Sequence, residues 1–129
     1  MKRIMLIVLL LLGLTTWAQQ EEKPETVVQK QVEAYNSRDL EAFLSFYTED
    51  VKIYTYPNKL DTDGKAAMRE SYASFFKNAT HLECKIVKRI VRNNTVIDEE
   101  SVKYNNTTFS GVAIYEVKNN KIFRVTFVE

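Results

Sequence analysis

His81 is the only histidine of the chain, and Glu83 follows it two residues later in a stretch whose alternation reads as a strand. Side chains two apart on a strand share a face, and an imidazole beside a carboxylate can shuttle a proton near neutral pH. The commoner fate of such a histidine is solvation at the start of the strand. Asp98-Glu99-Glu100 is a second source of chemistry. Alternation sends Asp98 and Glu100 to one face and Glu99 to the other. If Val96, Val102 and Tyr104 mark the inner face, both carboxylates go inward with them. That costs free energy unless they are functional, paired with Lys or Arg, or covered by a dimer contact across the sheet. The dimer contact is preferred here to a metal site, because no histidine and carboxylates cluster at ligand spacing. His81, Glu83 and Asp98 are therefore the catalytic candidates, and nothing calls for a metal or a cofactor. Cys84, the only cysteine, cannot form an internal disulfide and sits in LECKIV as a small buried hydrophobe rather than a reactive thiol.

A second set of residues suits binding rather than catalysis. A buried phenol needs a hydrogen-bond partner, so tyrosines tend to stand at a pocket wall or a wet edge. Tyr35, Tyr54, Tyr56 and Tyr72 are the pocket candidates, while Phe43 and Phe75 read as core. Gln31 and Thr55 are placed to orient a neutral ligand by hydrogen bonds.

The elements that must position these groups follow from periodicity. Pro24 suits a first helical turn, with Val28, Val32 and Tyr35 spaced four and three apart. Asn36-Ser37-Arg38 closes this helix. Asp39 is an N-cap for a second, whose apolar stripe Leu40, Phe43, Leu44 and Tyr47 is broken by Thr48-Glu49-Asp50. Val51 to Tyr56 alternates as a strand and stops at Pro57-Asn58. Asp61-Thr62-Asp63-Gly64 reads as a turn into a third helix, with Ala67, Met68, Ser71, Tyr72, Phe75 and Phe76 on one face. The period then changes to two. His81 to Arg92, Thr95 to Tyr104, Thr107 to Val117 and Lys121 to Val128 read as four strands, punctuated by Asn93-Asn94, Asn105-Asn106 and Asn119-Asn120. Asn tolerates the left-handed backbone that tight hairpins need, and such short links imply an antiparallel meander. Helices first and strands afterwards make an α+β domain.

Length and charge bound the rest. Lys2 and Arg3, the apolar run Ile4 to Leu14 and Thr16-Trp17-Ala18 form a secretory signal pattern, with cleavage expected after Ala18. The run is shorter than the ~20 residues of a bilayer span, so no stable membrane anchor is expected once it is removed. Residues 1–18 are read as the signal, 19–24 as a solvated leader and 25–129 as one domain, with a periplasmic or extracellular address. The chain carries 18 Lys and Arg against 17 Asp and Glu, a net charge of +1. Loss of Lys2 and Arg3 turns it to −1. A near-neutral, mixed surface has no electrostatic footprint for nucleic acid.

The stretch from Val27 to Phe76 resembles the nuclear transport factor 2-like superfamily, in its SnoaL-like and ketosteroid-isomerase-like branch. The resemblance rests on Val27-Val28-Gln29, the Asn36 to Leu40 link, Glu49-Asp50 before the strand, GKAAMRESY at Gly64 to Tyr72 and the closing pair SGVAIYEVKNNKIFRVTF. It implies three helices wrapped by a curved antiparallel or mixed sheet, a cystatin-like α+β roll forming a cone around an apolar pocket. It also implies that Phe123, Val125 and Phe127 of the last strand face inward, which adds Phe127 to the pocket, and that two copies pair through the sheet.

What the resemblance does not carry is the isomerase chemistry, which needs a base and two oxyanion donors, one a Tyr and one a carboxylic acid held neutral, as worked out for that enzyme. The Tyr position falls on Gln31, the base on Thr55 and the acid on Ala113. A Thr hydroxyl is too weak a base for a carbon acid, and Ala113 donates nothing. The expectation is an exported protein holding a small apolar or amphipathic ligand at Gln31, Tyr35, Tyr54, Thr55, Tyr56, Tyr72 and Phe127. The alternatives are an isomerase, cyclase or dehydratase with a relocated acid–base residue, and a dimeric scaffold whose cone is filled by its own side chains.

Overall fold

A computed structural model describes residues 20–129; the signal pattern at 1–18 lies outside them. Three helices, α1 (Pro24–Asn36), α2 (Leu40–Ser45) and α3 (Lys65–Asn78), are wrapped by one sheet. Its strands are β1 (Tyr47–Thr55), β2 (Lys59–Asp63), β3 (Leu82–Arg92), β4 (Thr95–Tyr104), β5 (Thr107–Lys118) and β6 (Lys121–Val128). They lie in the order β2-β1-β6-β5-β4-β3. All neighbours are antiparallel except β1 and β6, which run parallel, so the sheet is mixed.

The β3–β6 meander matches the reading from alternation to within a residue. Asn93, Asn105, Asn119 and Asn120 all take positive φ, between 52° and 62°, at the three hairpins. Asn is among the few side chains that accept this conformation at low cost. Asp39 caps α2 as expected, accepting from the Ala42 N–H at 3.1 Å.

Two boundaries differ from the periodic reading. The stripe Leu40, Phe43, Leu44 and Tyr47 suggested a helix through Tyr47, but α2 stops at Ser45 and β1 starts at Tyr47. Parallel pairing decides this: Tyr47 is registered against Ile122, and the Ile122 N–H donates to the Phe46 carbonyl at 2.8 Å. Long-range ladder bonds outweigh a weak local propensity. The segment read as a turn into α3 contains strand β2, a largely exposed edge strand paired to β1. It carries no apolar alternation because neither face is buried.

The core lies between the helices and the concave face. Val27, Val28, Phe43, Leu44, Val51, Met68, Val96, Ile122 and Val125 are fully or almost fully buried. Each such side chain is worth roughly 1.5–3 kcal/mol against solvent exposure. Phe123 was expected inward with Val125. Instead Ile122 and Val125 take the inward positions and Phe123 is only partly buried. The register shift between Glu116 and Val117, opposite this stretch, resets which side chains alternate. Similar irregularities at Ile53/Tyr54 and Ile86/Lys88 bend the sheet around the helices.

Candidate functional site

The inward residues of β4 are Val96, Asp98, Glu100 and Val102, the face that alternation pointed to. Asp98 has no exposure at all. Its cost is offset by Arg89, directly opposite on β3, whose Nε and Nη2 donate to the two carboxylate oxygens at 2.7 and 2.9 Å. Gln29 holds the same guanidinium at 3.0 Å. Asp98 is thus a structural ion pair inside the fold, with no need of a dimer contact to explain it.

Glu100, one inward position further on, reaches a cavity of about 480 Å³. Its Oε1 accepts from the Tyr115 hydroxyl at 2.9 Å. Tyr115 in turn accepts from Gln31 Nε2 at 3.3 Å, and Tyr47 donates to Gln31 Oε1 at 2.7 Å. The donors run one way, Tyr47 to Gln31 to Tyr115, and Glu100 is the terminal acceptor. Gln31, Tyr47 and Tyr115 are all buried, so this network satisfies groups that would otherwise be costly orphans. Each sits there for a local reason: Gln31 shares the inward face of α1 with Val27, Val28 and Val32, and Tyr115 alternates inward on β5 with Ala113 and Val117.

Burial pushes the Glu100 carboxyl up to about 7. The Tyr115 hydrogen bond pulls it down, Asp98 raises it again and Arg89 lowers it. A carboxyl so placed is poised to hold or release a proton near neutrality. The tyrosines are driven the other way from reactivity. Burial raises Tyr35, Tyr47 and Tyr115 far above the ordinary phenol, and Tyr72 to about 12, so all four stay neutral, and Tyr47 and Tyr115 act as donors. Cys84 lines the same cavity, and burial with the nearby Glu100 and Asp98 charges pushes its thiol up to about 12. It is an inert small hydrophobe.

The helical wall is aromatic. Tyr35 stands 5.9 Å from Phe43, 6.5 Å from Tyr72 and 5.9 Å from Phe75, ring centre to ring centre. Phe43 and Tyr72 are 4.7 Å apart. At the sheet side Thr55 and Phe127 line the cavity, and the Thr55 hydroxyl donates to the Asp61 carboxylate. No described group of three or more His, Cys, Asp or Glu is arranged to hold a metal ion.

Residues 28–125 match the family model of the SnoaL-like domain. This chain belongs to the SnoaL-like domain family. Among solved structures, the fold is similar to a cystatin-fold protein from Novosphingobium aromaticivorans, with TM-score 0.79 and 21% identity, covering 84% of this chain and 100% of that one. It is also similar to a putative ketosteroid isomerase from Kribbella flavida (TM-score 0.71, 16% identity, covering 82% and 76%). A third is an LEH-like epoxide hydrolase from M. tuberculosis (TM-score 0.70, 13% identity, covering 82% and 81%). At these identities the likeness is one of fold. No curated protein matches the sequence.

Of the binding residues read from the sequence of this SnoaL-like domain, Gln31, Tyr35, Thr55, Tyr72 and Phe127 line the cavity together. Tyr54 and Tyr56 do not. Tyr54 lies under the Arg124 guanidinium at 5.0 Å, and Tyr56 is 62% exposed beyond the end of β1. Alternation along β1 puts Thr55 on the inward face with Val51 and Ile53, and sends Tyr54 and Tyr56 to the other face; the shift in the β1–β2 pairing leaves the extra residue, Asp61, on β2. His81 and Glu83 stand 4.0 Å apart and nearly half exposed, away from the cavity. The isomerase-acid position, Ala113, is buried opposite Asp98. Sequence reading missed Tyr47, Tyr115 and Asp61, and it placed Glu100 inward without giving it a role. The usable signal for Glu100 was its parity with Val96 and Val102.

Proposed function

We propose that this SnoaL-like domain holds a small, largely apolar molecule in its cone, and that Glu100 reads the polar end of that molecule. The observation that carries this is a ligand-sized cavity lined by one partly buried carboxylate that accepts from Tyr115, together with a wall of aromatic rings. Pockets of this kind gain affinity from apolar contact and specificity from a few fixed polar groups. The cone is open rather than plugged by its own side chains, which speaks against the filled-scaffold alternative.

A second reading has its own support. Glu100, held near 7, is suited to take and return a proton on a bound substrate, the work of an isomerase, cyclase or dehydratase. It would then be the relocated acid–base residue, in place of His81 or Asp98. Both readings include export through the segment at 1–18 and pairing of two copies through the outer sheet face. Ile90, Ile97 and Ile114 are registered side by side on β3, β4 and β5, opposite in parity to Val96 and Asp98. They form an apolar row suited to such a contact.

The test is to incubate the purified protein with a mixed small-molecule and lipid extract and identify retained species by native mass spectrometry. Ser71→Trp is the control, because Ser71 is an exposed residue of the cavity lining where a large ring obstructs entry at little cost to folding. A species of defined mass retained by the wild type and lost in Ser71→Trp supports the proposal. Retention of nothing, or equal retention by the blocked variant, defeats it.

A further inference from the structure

The cavity is unusual in the sign of its charges. Its ionisable lining side chains, other than tyrosines and Cys84, are Asp61, Glu100 and Glu129, and no Lys, Arg or His is among the lining residues. Two cations act on this acidic lining from outside it. Arg89 is held by Asp98 and Gln29. Lys59 approaches Asp61 at 3.6 Å, but its side chain is 78% exposed and screened by water. Glu100 gives one oxygen to Tyr115, and among the described residues its other oxygen has no hydrogen-bond donor. The cavity lining also includes the rings of Tyr35, Phe43, Tyr72 and Phe75, and aromatic ring faces carry negative potential.

Acidic groups, π faces and low-dielectric walls act in one direction. They attract a cation and repel an anion, and the apolar walls strengthen the effect over its value in water. We propose that the cavity selects a cationic amphiphile, a protonated or quaternary amine on an apolar body, and rejects carboxylates and other anions. The positive head lies against Glu100 and the aromatic rings, and the apolar body runs along Val102 and Phe127 toward the mouth. The head offsets the cost of keeping Glu100 ionised away from water. This rests on the reading above that the cavity is a binding site, and goes beyond it by naming the class of ligand.

Three probes with the same tail separate the two statements: octyltrimethylammonium, 1-octanol and octanoate, titrated calorimetrically into the full-length protein at pH 8. The expected order is octyltrimethylammonium tightest, by about tenfold over 1-octanol, with octanoate weakest. Glu100→Gln should bring the ammonium and the alcohol within about threefold, as expected when an ion pair is exchanged for a neutral contact. Ser71→Trp should abolish binding of both. Octanoate binding as tightly as the ammonium, or no preference between ammonium and alcohol, overturns the selectivity while leaving the binding reading in place. Absence of binding by all three overturns both. Ammonium binding that survives Ser71→Trp shows adsorption to surface carboxylates and also overturns it. Should Glu100→Gln fail to fold, the wild-type ranking of the three probes still decides.

Discussion

Tyr115 donates to Glu100 Oε1 at 2.9 Å although the two are not registered partners. Tyr115 lies opposite Val96, and Glu100 lies opposite Gly111. The phenol therefore leans along the concave face, past Asp98, to reach a carboxylate two inward positions further on. Asp98 is turned the other way, onto Arg89 of β3. One strand thus holds two inward carboxylates with opposite fates: Asp98 is neutralised within the fold, and Glu100 is presented to the cavity.

Removing the lean tests its electrostatic role. In Tyr115→Phe the hydrogen bond that lowers the Glu100 pKa is lost, so the carboxyl should titrate above its wild-type value of about 7. Carboxyl-carbon NMR of Glu100 across pH 5 to 9 reads this directly. An unchanged or lower midpoint in Tyr115→Phe would show that Tyr115 does not tune the group. Stability should fall by roughly 1–3 kcal/mol, because Gln31 Nε2 loses its acceptor.

Stability should also depend on pH in a defined direction. Glu100 ionises near 4.5 in the unfolded chain and at about 7 in the fold. The fold therefore binds this proton more tightly, and the resulting stabilisation is complete below 4.5 and lost as pH rises through about 7. Urea unfolding at pH 5 and pH 8, compared with Glu100→Gln, isolates the group. The variant should gain about 1–3 kcal/mol on the wild type between the two pH values. A wild type and variant that run parallel would contradict the raised pKa.

Asp98 should behave as a structural residue. Asp98→Ala leaves the Arg89 guanidinium facing a buried site without its counter-charge, at a cost of about 2–4 kcal/mol. Denaturation midpoints measure the loss. A change under about 0.5 kcal/mol, typical of surface sites, would mean that the pair is not holding β3 to β4.

His81→Ala should leave both ligand retention and stability within about 0.5 kcal/mol of wild type, since the His81–Glu83 pair is solvated and lies outside the cavity. A marked loss of ligand retention in this variant would return the pair to the list of functional residues.

Self-association through the outer sheet face is tested by Ile97→Glu. A charge in the middle of the apolar row should convert a dimer to a monomer in sedimentation equilibrium, with no loss of ligand retention. If the wild type is already monomeric, or the variant remains dimeric, this face is not the contact.

Local sequence determined much of this protein. The α+β order, the asparagine hairpins, the Asp39 cap and the inward parity of Asp98 and Glu100 all rest on short-range causes: period, capping and left-handed turn residues. Gln31, Tyr35 and Tyr72 were legible because a Gln or Tyr on an otherwise apolar face has to find a partner, whereas Phe127 came from the family resemblance and Thr55 from its hydroxyl and its place in that resemblance. Tertiary structure alone decided the rest. The end of α2 at Ser45 depends on pairing with β6, more than seventy residues away in sequence. The choice of Ile122 over Phe123 depends on a register shift in the sheet, where one extra residue on β6 exchanges the two faces. Above all, the fates of Asp98 and Glu100 were equivalent by alternation. Arg89 on the neighbouring strand and Tyr115 reaching across the sheet made one an ion pair and the other the polar end of a cavity.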